Sequence, residues 1–212
     1  MPTIARVDTV LQLHPDNFTP PSRTPWGGTR LIARWKRNAV ADPTAWEGRP
    51  LGESWELSVE PDFPSRLRGS DRTLASVLDA DPAAWLGREA ALGRRGTGLL
   101  VKLLDSAEAL SVQIHPADDY AGLGAGESGK PECWYVVHAE PGAGVYLGLR
   151  PGVTEAGLRA ALEGGGDVSA MLNFVPCTPG DFLRIDPGTA HAIGPGLVLV
   201  EPQRVVPGKR GL

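Results

Sequence analysis

The chain has 212 residues, enough for one large domain with a sizeable buried core. Lys and Arg total 21 against 25 Asp and Glu, a formal charge of −4 without long runs of one sign, which argues against whole-molecule binding to nucleic acid or an anionic membrane. Apolar residues at 42% and charged residues at 22% argue against a disordered chain, and 27 glycines with 20 prolines leave little room for long helices.

At the N-terminus, Arg6 and Asp8 interrupt the apolar stretch 1–13, so no targeting signal is expected. No later apolar run approaches the roughly 18 residues that span a bilayer, which predicts a soluble, cytoplasmic protein without a membrane partner. Short alternating or aromatic segments at 9–13, 29–36 and 53–59, divided by Pro and Gly, read as strands. From 70 to 87 the spacing of Leu74, Val77 and Leu78, with Pro82 opening a second run, predicts one or two short helices. Strands are expected at 99–104 and 110–114 around a turn at 105–108, then a helical turn at 117–123 and a glycine-rich connector at 124–129. Strands at 132–137 and 145–149 precede a helix over 153–163, which Gly164, Gly165 and Gly166 end. Four short apolar segments follow at 171–175, 181–185, 190–193 and 197–201, separated by Pro-Gly turns. The expected fold is therefore mainly β, an antiparallel β-barrel or sandwich with a few short appended helices. Cys133 and Cys177 lack the paired spacing of a thiolate metal site and are expected to be reduced and separate.

Three segments carry candidate chemistry. In Ser111-Val112-Gln113-Ile114-His115-Pro116, strand alternation puts Ser111, Gln113 and His115 on one face. If that face lines a barrel interior, its polar groups need a metal or polar ligand as partner; a hydrated edge strand is the alternative. In Lys130-Pro131-Glu132-Cys133-Trp134, Lys130 and Glu132 share a face, as a solvated surface pair also would. Between 180 and 193, a strand, an Asp186-Pro187-Gly188 turn and His191 follow in order, and the turn alone could simply fix a hairpin. Taken together, Gln113, His115, Glu132 and His191 offer two imidazoles and two oxygens, a set that suits one Zn²⁺, or another borderline divalent ion, with a position left open for water or substrate. His14 and His138 are read as structural or solvent-facing.

The ordered series Pro25-Trp26-Gly27-Gly28, Gly52-Glu53-Ser54-Trp55-Glu56, Leu100-Val101-Lys102, 110–116, 129–135, 180–194 and Val200-Glu201-Pro202-Gln203 resembles the type I phosphomannose isomerases, in their shorter bacterial form. That resemblance implies the cupin-type jelly roll and interconversion of mannose 6-phosphate and fructose 6-phosphate through an enediolate. It puts Gln113, His115, Glu132 and His191 on the family's zinc ligands, and Lys102, Ser111 and Lys130 on its substrate-pocket positions. Glu201, with Lys130 as the alternative, is the candidate for proton transfer. A lysine inside the strand 99–104 needs an anionic partner if buried, and a sugar phosphate would be one.

The turn departs from many cupins in placing Pro187 directly before Gly188. The family continues past Gln203 into a segment with a Tyr-Arg pair, so the expectation is a single cupin-like isomerase domain over 1–212 that lacks the C-terminal part of the family and has impaired activity. The rival reading is a non-catalytic cupin that binds a sugar or sugar phosphate as a sensor. An iron-dependent cupin oxygenase is disfavoured, because such sites generally use more than two imidazoles. Oligomeric state is not legible.

Overall fold

The computed structural model describes residues 10–212; Thr9, where the first expected strand begins, lies outside them, as does most of the stretch 1–13. Within that expected strand Leu13 makes only an isolated bridge to Leu67. The elements in chain order are a π-helical turn at Leu31–Lys36, a 3₁₀ turn at Pro43–Trp46, β1 Glu53–Leu57, α1 Leu74–Ala80, α2 Pro82–Leu86, α3 Arg88–Ala91, β2 Leu99–Ser106, β3 Glu127–Ser128, β4 Glu132–Ala139, β5 Gly144–Leu149, α4 Glu155–Glu163, a 3₁₀ turn at Val168–Met171, β6 Leu172–Pro176, β7 Phe182–Ile185, β8 His191–Ile193, β9 Leu197–Arg204 and β10 Arg210–Gly211.

Two antiparallel sheets carry the fold, one ordered β1-β2-β9-β4-β7 and the other β6-β5-β8; β3 and β10 form a short parallel pair. The main core joins residues of both sheets: Leu104, Trp134, Val136, Ile185, Leu197 and Leu199 from the first, Val145 and Ile193 from the second. The protein is mainly β with short helices at the periphery, as expected. Several helix starts have a local cause. Thr73 and Ser76 form a capping box for α1, and Asp81 caps α2, whose first residue is Pro82. At the end of α4, Gly164 and Gly166 donate back to the carbonyls of Ala160 and Ala161.

Three expected elements differ. Residues 29–36 are helical, not extended, because Leu31, Ile32 and Lys36 are buried together and Trp35 packs beside them. Adjacent buried residues at that spacing suit a helical face, whereas a strand would turn one of each neighbouring pair outward. Secondly, Asp105 and Ser106 belong to β2, not to a turn. The Asp105 carboxylate is fully buried, accepting from the Arg30 backbone N at 2.6 Å and the Arg30 Nε at 2.7 Å, so it pairs with the guanidinium and anchors the start of the π-helical turn. The same guanidinium also donates to the Ser106 carbonyl and to Glu140. Gly28 makes room for this arrangement, since a Cβ there would lie 2.5 Å from both carboxylate oxygens. Thirdly, 110–114 is extended but holds only one bridge, Gln113 with His191, reinforced by the Leu110 N donating to the Ile193 carbonyl.

Cys133 and Cys177 are unpaired, and among the described residues no helix is long and apolar enough to cross a membrane.

Candidate metal centre

β4, β8 and the extended segment 110–115 converge on one buried cluster. Glu132 opens β4 and His191 opens β8. The backbones of Gln113 and His191 exchange both hydrogen bonds, at 2.8 and 2.9 Å, which fixes the segment carrying His115 against β8. The turn before β8 ties the two histidines together. Gly188, at φ +83°, donates its N–H to the His115 carbonyl at 2.8 Å, and the carbonyl of Thr189 lies 2.8 Å from His191 Nδ1. The Pro-Gly turn thus shapes the hairpin and orients the site at once.

His115, Glu132 and His191 are buried and present ligand atoms within 4.8 Å of one another. With His191 Nδ1 donating to the Thr189 carbonyl, its Nε2 is the ring nitrogen left for the site, and it faces Glu132 Oε1 at 3.4 Å without a hydrogen-bond partner. Glu132 Oε2 is likewise buried without a hydrogen bond. An imidazole nitrogen and a carboxylate facing each other in a dry site need a proton or a cation between them. Gln113 lines the same cavity; its Nε2 donates to Ser111 Oγ at 3.1 Å, which commits the amide nitrogen and leaves the carbonyl oxygen to offer. The donor set therefore fits a borderline divalent cation with N and O ligands.

Electrostatics favour the ligating forms. Burial, together with the charge of Lys130, pushes His115 down from 6.5 to about 4, so its imidazole is neutral near pH 7. For Glu132, burial alone would raise the pKa; the contact with His191 and the Lys130 charge outweigh it and hold the carboxyl well below its ordinary range. Lys130 Nζ lies 3.2 Å from His115 Nε2 and 3.4 Å from Glu132 Oε2. The single lone pair at His115 Nε2 serves either Lys130 or a cation, not both.

The His115 shift yields a stability expectation for the metal-free protein. Between pH 6.5 and about 4 the unfolded chain protonates this histidine and the folded chain does not, so stability falls as pH drops through that window. The full loss is on the order of 3 kcal/mol. Urea midpoints at pH 7, 5.5 and 4 in the presence of a chelator test it, and a flat profile would contradict a buried neutral imidazole.

A second polar group shares the cavity. Lys102, opposite Glu201 across the β2–β9 ladder, lies 3.2 Å from Glu201 Oε1 and 3.8 Å from Glu53 Oε1. Burial alone would lower its pKa, but these carboxylates outweigh it and raise it above the ordinary lysine value, so Lys102 is a fixed cation. The anionic partners that its burial requires are thus in-chain carboxylates. Glu201 Oε2 accepts from Trp134 Nε1 at 3.1 Å. Ser111 is exposed at the cavity mouth. Beyond it a cleft of about 950 Å³ is lined by Arg23, Lys102, His115, Lys130, Gln203 and Lys209 among others.

All eight residues singled out from the sequence line this cavity or the adjoining cleft. His14 sits beside Asp16 and His138 packs at a tilt against Trp35, both outside the cluster. Glu53 and Gln203, quoted in the motifs without a role, also face the cavity and cleft. For Gln203 the usable signal was its two-residue spacing from Glu201 on one strand. For Glu53 it was absent, because only the β1–β2 pairing brings it to Lys102. Arg204 takes a structural part, bonding Asp118 and the Gly129 carbonyl and so holding the loop that precedes Lys130.

The family model described as phosphomannose isomerase type I, catalytic domain, matches residues 22–141. A mannose-6-phosphate isomerase of Streptococcus mutans is 33% identical over 181 residues, covering 84% of this chain and 54% of its own. The chain thus spans about half the length of the curated relatives it matches. A putative mannosephosphate isomerase from Archaeoglobus fulgidus has a similar structure, with TM-score 0.74, 27% identity, and coverage of 93% of this chain and 62% of that one. The fold is also that of a mannose 6-phosphate isomerase solved with zinc and yttrium bound, with TM-score 0.62, 17% identity, and coverage of 92% and 67%.

Proposed function

The chain belongs to the type I phosphomannose isomerases, and from that premise we propose that it interconverts mannose 6-phosphate and fructose 6-phosphate with one bound Zn²⁺. The observation that carries this reading is the buried His115-Glu132-His191 cluster with two unpartnered ligand atoms, in a cavity shared with Lys102, Glu201 and Lys130. Gln113, His115, Glu132 and His191 would hold the ion, as the sequence motifs imply. When bound, a divalent cation polarises the oxygens on the reacting carbons of the substrate.

The remaining chemistry belongs to the chain. Aldose-ketose interconversion moves a proton between C2 and C1 through an enediolate, so the site needs a base at those carbons. Glu201 is the proposed base: it is a buried carboxylate held by Trp134 Nε1 and Lys102 Nζ beside the metal cluster. Lys102, a fixed cation, stabilises negative charge developing on the substrate oxygens. Lys130 lies between the cluster and the open cleft, where its ammonium can meet the sugar or its phosphate once it leaves His115. Ser111 contributes a hydroxyl at the cavity mouth.

A coupled isomerase assay on the purified chain after zinc loading, with elemental analysis of the same sample, tests the proposal. Turnover that a chelator abolishes and zinc restores is expected. Sugar-phosphate binding without turnover would instead assign a non-catalytic cupin. Lys130→Met should retain stoichiometric zinc and lower turnover by about 100-fold or more. Loss of the metal in that variant would show that Lys130 supports the cluster rather than the substrate.

A further inference from the structure

Gln203 is nine-tenths buried, yet its Oε1 has no hydrogen-bond partner. It lies on β9 two residues past Glu201, so both project to the same face, and it is the register partner of Glu132 across the β4–β9 ladder. Its side chain lines the cleft that His115, Lys102 and Lys130 also line. An amide kept buried with an unmade hydrogen bond destabilises the fold, and a packed apolar side chain of the same size would avoid that cost. The cleft carries Lys102, Lys130 and Lys209, which suit a phosphate but cannot accept a hydrogen bond, and Glu60 and Asp62, whose carboxylates accept but cannot donate. An amide can accept from a hydroxyl and donate to it as well.

We infer that Gln203 is a sugar-binding residue, its amide pairing with a hydroxyl of the bound sugar phosphate beside the metal cluster. The inference deepens the isomerase proposal and rests on it only for the class of ligand. Gln203 touches the sugar and does not hold the metal.

The test compares wild type with Gln203→Met and Gln203→Leu in three measurements: fructose 6-phosphate affinity of the zinc-loaded chain by calorimetry, zinc content, and the urea midpoint. The variants are expected to bind fructose 6-phosphate at least about 10-fold more weakly, with unchanged zinc content and a midpoint equal to or above wild type. A merely structural glutamine would give the opposite pattern, a lowered midpoint with unchanged affinity, and that result overturns the inference. Unchanged affinity in either folded variant overturns it too, as does a wild type that fails to bind fructose 6-phosphate. Wild-type turnover is read separately: binding that depends on Gln203 without turnover would defeat the isomerase proposal and leave this assignment standing.

Discussion

His191→Ala is expected to weaken zinc binding by more than about 100-fold while leaving both sheets intact. The magnitude follows from the residue's position. Its Nδ1 is committed to the Thr189 carbonyl, so Nε2 is the only atom it can offer, and that atom is buried, unpartnered and aimed at Glu132. Loss of a group that merely orients a metal ligand already costs 10–100-fold, and loss of the ligand itself costs more. Turnover should fall with the metal. His138→Ala is the control, since His138 packs near Trp35 outside the cluster and its removal should leave zinc content unchanged. Elemental analysis after dialysis against a dilute chelator reads both variants. Stoichiometric zinc retained by His191→Ala would refute the ligand set, whatever the activity.

Asp105→Ala should lower stability by about 3–5 kcal/mol, on the order of 10 °C in Tm for a chain of this size. Removing this carboxylate takes from the Arg30 guanidinium, whose side chain is only 15% exposed, the buried one of its two carboxylate partners, and unpairs the backbone N–H that starts the π-helical turn. Nothing nearby replaces it: Glu140 already takes a different nitrogen of the same guanidinium. Asp105→Asn should cost less, because an amide still accepts from Arg30. Thermal and urea unfolding of both variants decide the matter. A loss below about 1 kcal/mol in Asp105→Ala would mean that this buried pair contributes little beyond its packing.

How far the site could be read from the chain depended on the range of the interactions involved. Alternation along one extended segment sufficed to put Gln113 and His115 on a common face, and the Pro-Gly turn marked His191. Both are properties of a few consecutive residues. The strand expected at 29–36 failed for the converse reason. Its alternating appearance competed with burial of Leu31 and Ile32 against Phe18, Leu51 and Val198 and with a carboxylate 75 residues away, neither visible in a local pattern. The lysine at 102 was correctly read as anomalous, but its partners, Glu53 and Glu201, come from two other strands.

By itself, then, the sequence determined the mainly β class, the glycine stop of α4, the family, and the identities of the candidate metal ligands, because propensity, turn chemistry and motif spacing are local. Tertiary structure alone decided which polar groups are satisfied. Strand pairing joined Lys102 to its two carboxylates, hairpin geometry brought His191 Nε2 against Glu132 Oε1 without a hydrogen-bond partner for the imidazole nitrogen, and the β4–β9 register left Gln203 buried with a bond unmade. Desolvation is the physical reason: the energy of a polar group depends on what surrounds it in space, and those surroundings here come from segments distant in the chain.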